Sequence, residues 1–182
     1  MAQIPVRAAA LVSTAILAIT TAPALATDPP SGVQPAPCRT ADLSLDWTSG
    51  GGAQPGGRDT AGSQEDAYVS MKNTGTRACT LRGYPKVSLQ MGTETAGVVT
   101  EQLPPHTSEK PKTVKLNPGA TARFVVTFLS AKESDENIID PGVAVITPPG
   151  NTKAKELRWW WGPVRQQQGA THPGNYVGPV FH

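Results

Sequence analysis

The sequence has little charge, few aromatic residues and almost no cysteine. Only 16% of its 182 residues are charged, and 16 basic residues against 14 acidic ones give a net charge of +2. Nucleic-acid-binding proteins show clustered basic residues, so this class is poorly supported. The chain also lacks a P-loop, a dinucleotide fingerprint and a Gly-x-Ser-x-Gly element. These absences give no support to nucleotide or acyl-transfer chemistry.

The first 26 residues have the composition of a secretory signal peptide. Arg7 precedes an apolar run over residues 8–19, which is shorter than the roughly 20 helical residues that cross a bilayer. Ala24 and Ala26 are the small residues that a signal peptidase requires, so we expect cleavage after Ala26 and a secreted, extracellular product. The alternative is an uncleaved anchor, which Pro23 disfavours because proline interrupts a helix.

Two cysteines, Cys38 and Cys79, are all that the chain contains. Neither directly follows the apolar run, so we expect no lipid anchor, and no stable membrane anchor after cleavage. An exported compartment favours oxidation, which makes a disulfide between them the leading interpretation. Two free thiols or a metal pair are the alternatives, although no Cys-x-x-Cys or Cys-His metal spacing is present. We expect no metal and no cofactor.

Alternating apolar and polar residues indicate short strands along the rest of the chain. Residues 27–37 are rich in proline and are expected to be a flexible segment, followed by a single domain over residues 38–182. Leu43, Leu45 and Trp47 share one face of a first strand, and a long central strand is expected over residues 122–129.

Loops and turns separate these strands. Residues 49–66 and 103–112 are predicted loops, and Asn117-Pro118-Gly119 predicts a tight turn. One helical turn is expected within residues 131–140, a late strand over residues 157–161, and an edge strand near residues 177–181. About eight to ten short strands predict an all-β, antiparallel β-sandwich of the immunoglobulin-like type, and a small barrel is the alternative.

Several spaced motifs resemble those of domain of unknown function family 4232. The matching segments are Cys38 before the first strand, then residues 73–75 (NTG), 78–85 (ACTLRGYP), 116–122 (LNPGATA) and 145–150 (VITPPG). This family comprises secreted or lipid-anchored actinobacterial domains. The resemblance implies an exported β-sandwich with a Cys–Cys bridge, and it implies no activity. Because this chain lacks a lipobox, retention at the cell surface stays open.

Three adjacent tryptophans are the most unusual local feature. On a strand, alternation places Trp159 and Trp161 on the face of Leu157 and sends Trp160 to the opposite face with Arg158. We expect Trp159 and Trp161 to pack in the core, where each can bury roughly 150 to 250 Å². Trp160 and Arg158 are the candidate ligand or partner contact, able to stack on a sugar or anchor a protein. The alternative is that the C-terminal residues cover Trp160.

The remaining candidates have structural explanations. Tyr84 is a possible partner contact, but its motif favours a corner tyrosine whose hydroxyl bonds to backbone. His106 is expected in an exposed loop and His172 in the tail, rather than in a catalytic site. Met71 and Met91 are expected to fill core positions. The acidic residues between 133 and 140 lack the spacing of a calcium loop.

The sequence thus favours a secreted, non-enzymatic β-sandwich module that binds an extracellular protein, glycan or cell-wall component, with no nucleic acid as partner. The alternative is an inhibitor-like domain that presents residues 103–112 or 49–66 to a secreted protease. A hydrolase is the third class and has the least support, since no nucleophile, base and acid are recognisable in the sequence.

Overall fold

The structure is a computed structural model that describes residues 34–49, 51–53, 62–93, 97–167, 169–171 and 173–182. The predicted signal peptide (residues 1–26) lies outside these residues, as do residues 27–33 of the Pro-rich segment and residues 50 and 54–61 of the predicted loop. Among the described residues, no helix is long and apolar enough to cross a membrane.

Strands dominate the described residues, which contain a single short 3-10 helix at Thr40–Asp42 and no α-helix. The strands are β1 (Leu43–Thr48), β2 (Gln64–Asn73), β3 (Cys79–Leu81), β4 (Lys86–Thr93), β5 (Gly97–Leu103), β6 (Val114–Leu116), β7 (Thr121–Leu129), β8 (Ile138–Ile139), β9 (Val143–Thr147), β10 (Lys155–Arg158), β11 (Val164–Arg165) and β12 (Tyr176–Val177). Glycines and prolines separate them, as the turn-rich sequence predicts.

Two four-stranded antiparallel sheets contain most of these strands. The first sheet has the order β1-β2-β7-β12, and the second has the order β10-β9-β4-β5. Two small pairs, β11-β8 and β3-β6, complete the pairing. The predicted central strand is β7, which lies between β2 and β12 and pairs with β2 from Gln64↔Leu129 to Lys72↔Thr121. The turn before it has φ of 80° at Gly119, a value that favours glycine.

A single apolar core receives side chains from both sheets. The first sheet contributes Leu43, Val69, Met71, Phe124 and Phe128, and the second contributes Val87, Leu89, Ala144 and Ile146. All of these are essentially without solvent exposure, as expected where the apolar faces of two sheets pack together. The prediction of an all-β antiparallel fold with one disulfide is therefore confirmed, and the two sheets are arranged as in a sandwich.

Two local predictions were wrong. Residues 131–140 form turns and the short strand β8 instead of a helical turn, because Ile139 pairs with Val164 of β11. The late strand ends at Arg158 rather than at residue 161, since Gly162, with φ of 78°, and Pro163 turn the chain away. The structure also places Ala144 and Ile146 of β9 in the core and Val143 and Val145 on the outward face.

Side chains and backbone close one edge of the sandwich between β1 and β10. The ammonium of Lys155 donates to the carbonyl of Leu43, and the indole Nε1 of Trp47 donates to the carbonyl of Arg158 at 2.7 Å. Each bond joins one sheet to the other. They also occupy carbonyl groups at strand edges, where free backbone groups would otherwise attract foreign strands.

A buried polar network closes the opposite edge. Asn175 is fully buried, accepts the backbone N–H of Leu129 at 2.8 Å, and donates to the carbonyl of Arg165 at 2.7 Å. The same amide donates to Glu101 Oε1 at 3.3 Å, and that oxygen also accepts the backbone N–H of Gln167 at 2.9 Å. The network therefore joins β5, β7 and the C-terminal segment.

The disulfide between Cys38 and Cys79 fastens the start of the fold to β3. Around it, the backbone N–H of Cys38 bonds the carbonyl of Thr80 at 2.9 Å, and that of Thr80 bonds the carbonyl of Ala36 at 3.0 Å. The side-chain amide of Asn151 bonds the carbonyl of Cys38 at 2.9 Å. The N-terminal segment is thus held by β3 and by the turn that contains Asn151.

Removing the disulfide should destabilise the fold substantially. The bridge closes a loop with a sequence separation of 41 residues. Constraining the unfolded chain to that extent corresponds to about 4 kcal/mol. We expect a Cys38→Ala/Cys79→Ala variant to lose about that much free energy of unfolding in urea denaturation. Wild type unfolded with a reductant should match the variant, and a loss below about 1 kcal/mol would contradict the expectation.

The Asn175→Ala variant should be destabilised by about 3 kcal/mol, because it leaves the Leu129 N–H, the Arg165 carbonyl and the Glu101 carboxylate short of partners in a buried site. Urea denaturation measures the change. The exposed Thr171→Ala substitution, in the same segment, is the control and should change stability by less than about 0.5 kcal/mol. Equal stability of the two variants would show that the network does not hold this edge.

Candidate functional site

An aromatic cluster at the β1–β10 edge determines how the three tryptophans are oriented. The Trp47 ring packs edge to face against Trp159 at 5.7 Å and against Trp161 at 5.8 Å between ring centroids. Trp159 also contacts Phe128 at 4.9 Å, and its exposed fraction is 5%. Trp159 and Trp161 therefore pack inward, as the sequence predicts, with Trp161 partly buried against the core.

The indole N–H groups of the cluster differ in their partners. Trp47 Nε1 bonds the carbonyl of Arg158, and Trp159 Nε1 bonds the carbonyl of Gly162 at 2.8 Å. Trp161 Nε1 is buried without a hydrogen-bond partner. The first two bonds fix the backbone on both sides of Trp160, and so determine the direction in which its side chain leaves the sheet.

Trp160 is the most exposed large apolar side chain among the described residues, with 48% of its surface accessible. The guanidinium of Arg158 lies over its ring at 4.2 Å from the centroid, within cation–π distance. The structure thus brings together the two candidates that alternation assigned to the same face. The C-terminal residues leave nearly half of the indole in solvent.

Arg158 has hydrogen-bonding capacity beyond this contact. Within the described part of the chain, the ion pairs involve Arg39, Arg165 and His106, and Arg158 takes part in none. Its side chain is exposed. A planar guanidinium with several N–H donors beside an indole can hold a carboxylate, a hydroxyl or a carbonyl while the ring supplies apolar contact.

Tyr84 has a structural contact rather than a place beside Trp160. Its ring is partly buried, and its hydroxyl donates to the carbonyl of Glu109 in the loop over residues 103–112. The bond reaches across 25 residues of sequence, so this tyrosine supports a distant loop instead of its own corner. Cys38 and Cys79 are likewise structural, as the two halves of the disulfide.

The same loop carries a serine, a histidine and a glutamate in contact. Ser108 Oγ lies 2.9 Å from His106 Nε2, and His106 Nδ1 lies 3.6 Å from Glu109 Oε1. The His106 ring stacks on Tyr176 at 4.4 Å between centroids. The side chains of His106 and Glu109 are exposed by 39% and 64%, so water competes for these bonds. We interpret the contacts as support for the loop.

Sequence reasoning did not find the buried carboxylate of Glu101. Its side chain is 2% exposed, and Oε2 has no hydrogen-bond partner although Oε1 has two. The sequence could have indicated it, because Val99, Glu101 and Leu103 alternate with polar residues or Val98, and this pattern places the acidic Glu101 on the inward face of β5. No group of three or more His, Cys, Asp or Glu residues within the described ranges is placed to hold a metal ion.

A family model described as a domain of unknown function, DUF4232, matches residues 38–179 of this chain. The chain belongs to the DUF4232 family. The match begins at the first disulfide cysteine and includes the aromatic cluster, so both are within the family domain. Among curated proteins no match is found.

Within this DUF4232 domain, the adjacent tryptophans should respond very differently to truncation. Trp159→Ala leaves a cavity against Phe128 and Trp47, and should cost about 3 to 5 kcal/mol of unfolding free energy. Trp160→Ala removes an exposed ring and one cation–π contact, and should cost less than about 1 kcal/mol. Urea denaturation of both variants measures the difference, and equal losses would contradict the assigned orientations.

Proposed function

We propose that the protein is an exported, non-enzymatic binding module that contacts an extracellular protein or glycan through Trp160 and Arg158. The observation that carries this proposal is the exposed indole with a guanidinium stacked on it. An exposed tryptophan is costly to keep in water, and tryptophan and arginine are enriched among the residues that dominate binding energy. The core does not need Trp160, because its two neighbours fill the inward positions.

The orientation of the pair also suits binding. Trp47 holds the carbonyl of Arg158, so the backbone beneath the exposed pair is anchored to the opposite sheet. A preorganised aromatic contact loses less conformational entropy on binding than a mobile one. Trp160 and Arg158 therefore present an apolar surface and hydrogen-bond donors in a fixed arrangement.

Export is supported by two features. The sequence of residues 1–26 has the pattern of a signal peptide. The disulfide is of the kind that persists in oxidising compartments and is rare in the cytosol.

A second candidate function is presentation of residues 103–112 to a secreted protease. This loop is held by the hydroxyl of Tyr84 and by the stacking of His106 on Tyr176. Its backbone is also fixed where the N–H of His106 bonds the carbonyl of Val177 at 2.9 Å. Inhibitory loops bind tightly when they are already held in shape, so the support of this loop favours such a role.

A binding experiment tests the first function and distinguishes a glycan ligand from a protein ligand. The purified protein is incubated with an actinobacterial cell-wall fraction, the source suggested by the family resemblance, with and without prior protease treatment of that fraction. We expect wild type to bind and Trp160→Ala to raise Kd by about 30-fold, the effect of a loss near 2 kcal/mol. Survival of binding after protease treatment would indicate a glycan, and its loss would indicate a protein.

Phe181→Ala is the matched control, since Phe181 is an exposed aromatic (38%) that contacts Tyr68 on the other sheet. It should bind as wild type does. Unchanged binding by Trp160→Ala would remove the proposal. Lys110 is an exposed residue of the loop over residues 103–112. If wild type instead inhibits a secreted protease, and Lys110→Ala but not Trp160→Ala relieves the inhibition, the second candidate is correct.

A further inference from the structure

The outer face of the β10-β9-β4-β5 sheet is a continuous surface next to Trp160. Strand register places side chains of all four strands on it, because Arg158 pairs with Val143, Val143 with Gln90, and Gln90 with Thr100. The next row contains Glu156, Val145, Ser88 and Gln102. We call the surface formed by Gln90, Gln102, Val143, Val145, Arg158 and Trp160 the outer sheet face.

This face combines amides with apolar side chains, and its few charges are of both signs. Gln102 is exposed, while Gln90, Val143 and Val145 are partly buried. Gln90 Nε2 lies 3.2 Å from Ser88 Oγ, so a second polar group adjoins it. The charged side chains on or next to the outer sheet face are Arg158, Glu156 and Lys86, all of them exposed.

Its chemistry distinguishes between classes of ligand. Polyanions are bound by several cations acting together, and here Arg158 has the carboxylate-bearing Glu156 on the same face of its strand. Stable protein interfaces have an apolar, well-packed centre. The centre of the outer sheet face instead contains the amide of Gln90, on the strand between β9 and β5. A neutral ligand with many hydroxyls fits better, because amides can bond its hydroxyl groups while the valines and Trp160 contact its C–H surfaces.

The face also has the shape for an extended ligand. From β10 to β5 there are three interstrand spacings, about 14 Å in all. Trp160 lies at the β10 margin, and a cleft of about 750 Å³, lined in part by Gln102 and Gln167, adjoins the β5 margin. An extended chain can therefore lie across the strands.

We propose that the outer sheet face binds a neutral, linear, β-1,4-linked polysaccharide, with one pyranose ring stacked on Trp160 and hydroxyl groups bonded to Gln90, Gln102 and Arg158. Chains of this linkage form flat ribbons with apolar C–H faces and hydroxyls along their edges, which match a flat sheet. This inference rests on the proposed function of Trp160, and it names the ligand class.

The test uses soluble hexasaccharides in isothermal titration calorimetry with the full mature protein. Cellohexaose or chitohexaose should bind, and α-linked maltohexaose, which is curved rather than flat, should bind at least ~10-fold more weakly. Trp160→Ala should weaken binding by more than ~10-fold. Gln90→Ala and Gln102→Ala should each weaken it by ~3-fold to ~10-fold, as expected for one lost hydrogen bond. Lys72→Ala, an exposed substitution on the other sheet, is the control and should have no effect.

The outcomes separate this inference from the proposed function. If neither β-linked hexasaccharide binds while Trp160→Ala still loses binding to the wall fraction, the ligand is not a neutral polysaccharide and the binding function of Trp160 stands. If the hexasaccharides bind and both glutamine variants bind as wild type does, the outer sheet face is not their site. If maltohexaose binds as tightly as the β-linked chains, the flat-ribbon match is wrong.

Discussion

One indole, that of Trp47, determines both the closure of the sandwich edge and the position of the exposed site. Its N–H bonds the carbonyl of Arg158, and its ring contacts Trp159 and Trp161. Because both neighbours are held inward, Trp160 is directed to solvent with Arg158 over its ring. The contact that joins the two sheets at this edge therefore also creates the surface that we propose for binding.

Much of the fold could be predicted from alternation, because in a strand with one buried face the side-chain pattern reports burial directly. This holds for β1 and for β7, and it placed Trp160 opposite Trp159. The predicted orientation of Trp160 is correct although β10 ends at Arg158. The backbone N–H of Trp159 still donates to the carbonyl of Gly142 at 3.0 Å, so the chain stays extended beyond the end of the strand. The strand end could not be predicted, because it depends on where the chain must turn. The pairing of β8 with β11 joins residues far apart in sequence and leaves no local pattern.

The edge of the sandwich that contains Asn175 shows the same limit of prediction for polar residues. Glu101 stands on the inward face of β5, which marks it as a residue that needs a buried partner. Its partner Asn175 lies in a segment without alternation, so only the fold reveals the pair. The outer sheet face is similar, since Gln90, Gln102 and Val143 belong to separate strands that register alone brings together. The resemblance to the family gave the fold and the disulfide but no ligand.

The central claim is that ligand contact occurs on the outer sheet face, beside Trp160, and not at the loop over residues 103–112. Amide chemical-shift mapping by NMR during titration with chitohexaose tests this directly. The account predicts shifts concentrated in β4, β5, β9 and residues 156–160, with the β1-β2-β7-β12 sheet unchanged. Shifts confined to residues 103–112, or no shifts at ligand concentrations that saturate binding, would contradict it.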